Sequence, residues 1–181
     1  MKKLHSLIGK ELIDIISENT DIFQIEAIPV LKNQSSKIAK VRHYKARTEK
    51  DAKILNVRHS QLQEKLREKI TAKYKSVELE VGFENYAYQI DLLAKKKNGN
   101  YDIYEVKPYS SSIYCIREAL GQLLHYRYLV NESYKNSNTK EKNKVDTIYI
   151  AGPSDLSIEG KKLLKSIQND FKTIKFDYIK I

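Results

Sequence analysis

The stretch YAYQIDLLAKKKNGNYDIYEVK, residues 86–107, decides the fold. Two runs of aromatic and aliphatic residues flank Asn98-Gly99, a dipeptide that favours a chain reversal between antiparallel strands. The spacing predicts strands over 86–94 and 101–107. VELEVGF, at 77–83, alternates apolar with polar residues and adds a strand ahead of them. Side chains on a strand point alternately to its two faces, so Tyr101, Ile103, Glu105 and Lys107 share one side. Glu105 and Lys107 come at the end of their strand, just before Pro108. Strand ends beside loops are where reacting groups usually emerge.

Working outward, Leu62, Leu66 and Ile70 recur every four residues and predict a helix over 57–74. Ile116, Ala119, Leu120, Leu123 and Leu124 mark a second helix over 113–130. VDTIYIAG, 145–152, reads as a strand covered on both faces. A helix over 155–170, capped by Ser154 or Asp155, and a strand over 173–179 complete the core. The polar stretch 131–144 reads as an exposed loop. Towards the N-terminus, 4–18 has the spacing of a short amphipathic helix and 22–31 that of a strand. The order of elements is that of an α/β fold of the α+β kind, a mixed sheet flanked by helices. We divide the chain into an N-terminal helix and basic appendage, 1–54, and a core, 55–181.

Composition narrows the classes. A hydrophobic share of 41% over 181 residues suits one folded domain. The single cysteine, Cys115, excludes a disulfide framework and any zinc site built on several cysteines. Lys10, Glu11 and Asp14 interrupt the apolar start, which is therefore not read as a signal peptide, and no run of 18 apolar residues occurs. The expected compartment is the cytosol, with no membrane partner.

The formal net charge is +10. Residues 1–75 hold 17 Lys and Arg against 9 Asp and Glu, residues 76–130 hold 6 against 7, and residues 131–181 hold 10 against 7. Basic flanks attract polyanions, and a middle richer in carboxylates suits a cation that acts on one. Solvated lysines account equally well for the charge taken alone. Within 37–53 the basic residues, with Lys40, Arg42, Lys45 and Arg47 around Tyr44, are the candidate nucleic-acid-binding segment. Arg117 is a further candidate for phosphate. The sequence leaves open whether 37–53 forms a hairpin or a loop.

Asp91 is an isolated acid among Ile90, Leu92 and Leu93, a costly placement unless its charge is compensated. A divalent cation would compensate it. Two carboxylates can hold Mg²⁺ while leaving places for water and a phosphate oxygen. A lysine beside them can orient or deprotonate water and stabilise developing negative charge. Asp91, Glu105-Val106-Lys107 and Gln122-Leu123-Leu124-His125-Tyr126 together resemble the PD-(D/E)XK nuclease superfamily, in the branch with a Q-x-x-x-Y helix motif found in restriction-type and RecB-type nuclease domains. The likeness covers about residues 57–181, and Ile90 stands where the motif has proline.

The resemblance implies a restriction endonuclease-like core and a Mg²⁺-dependent deoxyribonuclease, with Mn²⁺ able to substitute and endonuclease preferred over exonuclease. It makes Asp91, Glu105 and the Val106 carbonyl metal ligands and Lys107 the catalytic lysine. Gln122 and Tyr126 position substrate or lysine. His59 or Glu64 is the candidate contribution from the first helix. DNA is the expected partner, with a homodimer or a defence-system protein as further ones, and restriction or anti-phage defence or DNA repair is the expected setting. The alternatives are an inactive nucleic-acid-binding module on the same scaffold and an RNA-directed nuclease.

One geometric condition follows. A two-residue turn at Asn98-Gly99 would set Asp91 opposite Val106 and away from Glu105. A shared metal requires Asp91 opposite Glu105, hence a three- or five-residue loop or a bulge in the strand over 86–95.

Overall fold

The computed structural model describes residues 31–32, 49–83, 86–135 and 144–181. Among these residues a six-stranded sheet runs in chain order, β1 (Leu31–Lys32), β2 (Ser76–Phe83), β3 (Tyr86–Lys95), β4 (Tyr101–Val106), β5 (Val145–Gly152) and β6 (Lys175–Lys180). The first four strands pair antiparallel, and β4, β5 and β6 pair parallel. Parallel neighbours need crossover connections. Helix α2 (Ser112–Lys135) links β4 to β5, and α3 (Ile158–Asp170) links β5 to β6. Helix α1 (Glu49–Thr71) precedes the sheet. This is the mixed sheet flanked by helices that the sequence predicts.

Two cores lie on the two faces. Cys115, Ile116, Ala119, Leu123 and Leu129 of α2 pack with Ile103 of β4, Ile148 and Ile150 of β5 and Ile167 of α3. On the other face Leu62, Leu66 and Ile70 of α1 pack with Leu92, Ala94, Tyr104 and Val106. The four-residue spacing read from the sequence is therefore the stripe that α1 buries.

The strands do not keep one pattern throughout. Val77 and Leu79 of β2 belong with the α1 core, whereas Val81 and Phe83 belong with the α2 core. On β3, Leu92 and Ala94 side with α1 and Ile90 with α2. Both strands thus exchange faces, β2 at Glu80 and β3 at Asp91. The pairing runs Leu79 with Leu92 and Val81 with Ile90, with the step between left out. Glu80 has φ 50°, the left-handed region, which breaks the pleat there.

Several boundaries differ from expectation. Helix α1 begins at Glu49 rather than 57, so the division at 54/55 falls inside a continuous helix. Helix α2 continues through Lys135, so the first part of 131–144 is helical, and Asn131 Oδ1 accepts the Val145 N–H at 3.0 Å. The cap of α3 is Ser157, not Ser154 or Asp155, and its Oγ accepts the Gly160 N–H at 3.0 Å. The predicted helix over 4–18, the basic residues Lys40, Arg42, Lys45 and Arg47 with Tyr44, and most of the strand over 22–31 lie outside the described residues.

Candidate active site

The connection between β3 and β4 is a five-residue loop, Lys96 to Asn100, closed by Lys96 N–H to Asn100 O at 2.7 Å. Gly99 takes φ 92°, which suits a residue without Cβ. The loop sets Lys95 opposite Tyr101 and Leu92 opposite Tyr104. One step further the same register leads to Asp91 and Glu105, as the geometric condition requires. The paired stretch stops short of that step, so the strands fork at these two acids.

The Asp91 carboxylate occupies the fork. Its Oδ2 accepts the Val106 N–H at 2.9 Å, and Gln63 Nε2 donates to its Oδ1 at 3.1 Å. His59 Nε2 lies 3.1 Å from Oδ2. Asp91 is 1% exposed and His59 and Gln63 are also buried, so the acid is held in a polar nest within an apolar core. His59 and Gln63 are one turn apart on the inward face of α1. Such bonds offset the cost of burying the carboxylate.

Glu105 lies on the other face, beneath α2. Lys107 Nζ donates to Glu105 Oε1 at 2.8 Å and to Gln122 Oε1 at 2.5 Å. Both Glu105 and Lys107 are buried, while Gln122 is exposed, so this side of the site opens to solvent along α2. The backbone of Lys107 is anchored as well. Its N–H donates to Ala151 O at 2.9 Å, and its carbonyl lies 3.6 Å from Cys115 Sγ, whose single proton has a nearer acceptor in Tyr109 O at 3.4 Å. Burial pushes the Cys115 thiol up to about 11, so at neutral pH it is a protonated donor.

The two clusters meet at the Glu105–Val106 peptide. Asp91 grips its N–H, and Glu105 is its first residue. The expectation that Asp91 shares a face with Glu105 is thus met only in register. The exchange of faces at Asp91 turns its side chain into the fork and towards α1.

Other candidates fall elsewhere. Glu64 is exposed and pairs with Arg67 at 3.2 Å, because the helix turns it away from the face that carries His59 and Gln63. Tyr126 is 3% exposed in the α2 core, with its ring stacked on Phe83 at 6.5 Å between centroids. Arg117 is exposed on α2. Sequence reasoning missed Gln63. The signal for Gln63 was present, since it follows His59 by four residues on an otherwise apolar face.

A second buried acid, Asp102, lies nearer the loop end of β4. It accepts from Tyr74 Oη at 2.6 Å and the Thr147 N–H at 3.1 Å, and Lys96 Nζ is 2.8 Å away. Burial lowers the Lys96 pKa, but bonds to Asp102 and Asp146 outweigh it and raise the ammonium above its usual value. This network ties the β3–β4 loop to β5, and it holds its acid with fixed cationic and hydroxyl partners.

No helix among the described residues is long and apolar enough to cross a membrane. No family model matches the chain, and no curated protein matches it. Among solved structures, the chain is similar to one described as an EndoMS–dsDNA2 complex, with 17% identity, a TM-score of 0.41, and coverage of 68% of this chain and 45% of that one. It is also similar to a repair endonuclease from Pyrococcus abyssi, with 17% identity, a TM-score of 0.36, and coverage of 77% and 50%. The chain therefore spans half or less of the length of these two structures.

Proposed function

We propose that the protein is a nuclease of the PD-(D/E)XK kind that hydrolyses phosphodiester bonds of DNA with Mg²⁺. The observation that carries this reading is the Lys107 ammonium held between Glu105 and Gln122, beside the fork that contains Asp91. A stability role alone gives little reason for such a buried pair, since desolvation offsets most of its attraction.

Oxygen groups of the kind a hard cation takes adjoin the Glu105–Val106 peptide, although the Asp91 carboxylate, turned towards α1 and filled by three donors, would have to leave them to share a cation with Glu105. Two carboxylates adjoin one peptide, and in an extended strand the Val106 carbonyl points to the same side as its N–H, towards the fork. Among the described residues no group of three or more His, Cys, Asp and Glu is placed to hold a metal ion. Mg²⁺ is commonly held by one or two carboxylates and keeps several waters. When bound, it would neutralise phosphate charge and lower the pKa of water.

The chain's own groups supply the rest. His59, Gln63 and the Val106 N–H fix the Asp91 carboxylate. Glu105 and Gln122 fix the Lys107 ammonium, which can orient the attacking water and stabilise negative charge on phosphate oxygens. Endonuclease action is preferred, in restriction, anti-phage defence or repair, in the cytosol, with a second copy of the chain or a defence protein as partner. A methyltransferase gene beside this one would favour restriction.

The test is incubation with plasmid DNA, linear DNA and RNA in Mg²⁺, Mn²⁺ or EDTA. Cation-dependent cleavage of DNA supports the proposal, and faster cleavage of RNA transfers it to that substrate. Absence of cation-dependent cleavage of any nucleic acid rejects it. One observation favours a second reading, an inactive binding module: the three partners of Asp91 compensate its charge without a cation. Salt-sensitive DNA binding unchanged by Mg²⁺ and EDTA would be its signature.

A further inference from the structure

Tyr88 is 50% exposed, yet its ring is not isolated. It lies 5.3 Å from the His125 ring, edge to face at 72°, and 6.4 Å from Tyr86. Tyr86 contacts Phe83 at 6.5 Å, Phe83 stacks on Tyr126, and Tyr126 stacks on His125 at 6.5 Å. The five rings close a circuit. Four of them back the fifth and root it in the core.

The platform adjoins the candidate site. Tyr88 precedes Ile90 by two residues on β3, so both point towards α2. His125 follows Gln122 by three residues, and side chains at that spacing are neighbours on a helix surface. Gln122 in turn holds Lys107. A half-exposed aromatic face thus rests on a residue one helical turn from the one that holds the ammonium.

We propose that Tyr88, seated on His125 and Tyr86, stacks an unpaired nucleobase of the strand that enters the site. This rests on the nuclease reading and deepens it by naming the substrate class, nucleic acid with a single-stranded segment. Inside a duplex, away from its ends, each base face is covered by its neighbours, so only an unstacked base can lie on a tyrosine ring there. Stacking is tolerant of sequence because every base has a π-face, and the +10 net charge supplies attraction for the backbone.

The experiment measures binding of labelled oligonucleotides in EDTA, so that no cleavage intervenes, alongside cleavage in Mg²⁺. The probes are a single strand, the same strand with abasic sites throughout, and a blunt duplex. Tyr88→Ala should weaken single-strand binding about 5- to 150-fold, the range expected for one lost stacking contact. Tyr88→Phe should bind like the parent, and the abasic strand should not distinguish Tyr88→Ala from it. Equal binding of the base-bearing strand by Tyr88→Ala and the parent overturns the proposal, and so does an equal loss on the abasic strand. Cleavage by the parent with either of these results leaves the nuclease reading standing without the platform. Tyr88-dependent binding with no cleavage leaves the platform standing and removes the nuclease.

Discussion

Lys107 Nζ and Gln122 Oε1 are 2.5 Å apart, which ties the end of β4 to the exposed side of α2. The bond makes the two residues unequal. On the proposed reading Lys107 would carry the charge and Gln122 would aim it. Lys107→Ala should lower DNA cleavage about 10²- to 10⁴-fold, the range for loss of a positioned acid–base group. Gln122→Ala should cost about tenfold or less. Rates on labelled DNA, with circular dichroism to confirm folding, check the order. Equal losses would remove the distinction.

Asp91→Ala should destabilise as well as inactivate. It leaves the Val106 N–H and the side chains of Gln63 and His59 without their buried acceptor. The expected loss is about 2–4 kcal/mol in urea unfolding. Asp91→Asn, which keeps one acceptor oxygen, should lose less stability and as much cleavage.

Mg²⁺ should raise the melting temperature of the parent protein and not that of Glu105→Gln. A cation that binds only the folded state, at ten times its Kd, adds about 1.4 kcal/mol. Thermal scans with Mg²⁺ and with EDTA read this without any substrate. The same shift in Glu105→Gln would place the cation elsewhere.

Stability should fall at alkaline pH. Burial first, then hydrogen bonds to Asp102 and Tyr104, raises the Tyr74 phenol, and burial likewise raises Tyr104, Tyr134 and Tyr178 above 10.0. The unfolded chain releases these protons near pH 10 and the folded chain retains them. Their contribution is therefore complete below pH 10 and declines as pH rises above it. Phenolate absorbance and unfolding should rise together above that point. Complete tyrosine ionisation near pH 10 in a folded protein would contradict it.

The sequence made much of this legible. The Asn98-Gly99 reversal and the break at Pro108 located β4, and four-residue spacing located the buried stripe of α1. The need for Asp91 and Glu105 to pair foretold a loop longer than two residues, and five are found. The side-chain direction of Asp91 was not legible. Ile90 and Leu92 look equivalent in a period-two reading, and the left-handed residue that breaks the period, Glu80, is on another strand. Glu64 stands out in the sequence by its charge, but helical phase turns it outward to Arg67, and the neighbouring Gln63 faces Asp91 instead.

The exchange of faces at Glu80 and Asp91 also limits how this chain can change. Ile90 and Leu92 are two residues apart but serve opposite sides of the molecule. A one-residue deletion on β3 alone would send apolar groups from one core into the other, while β2 kept its own crossover. The two strands can therefore be lengthened or shortened only together, and the acid that the chemistry would use is also the joint about which the sheet is assembled.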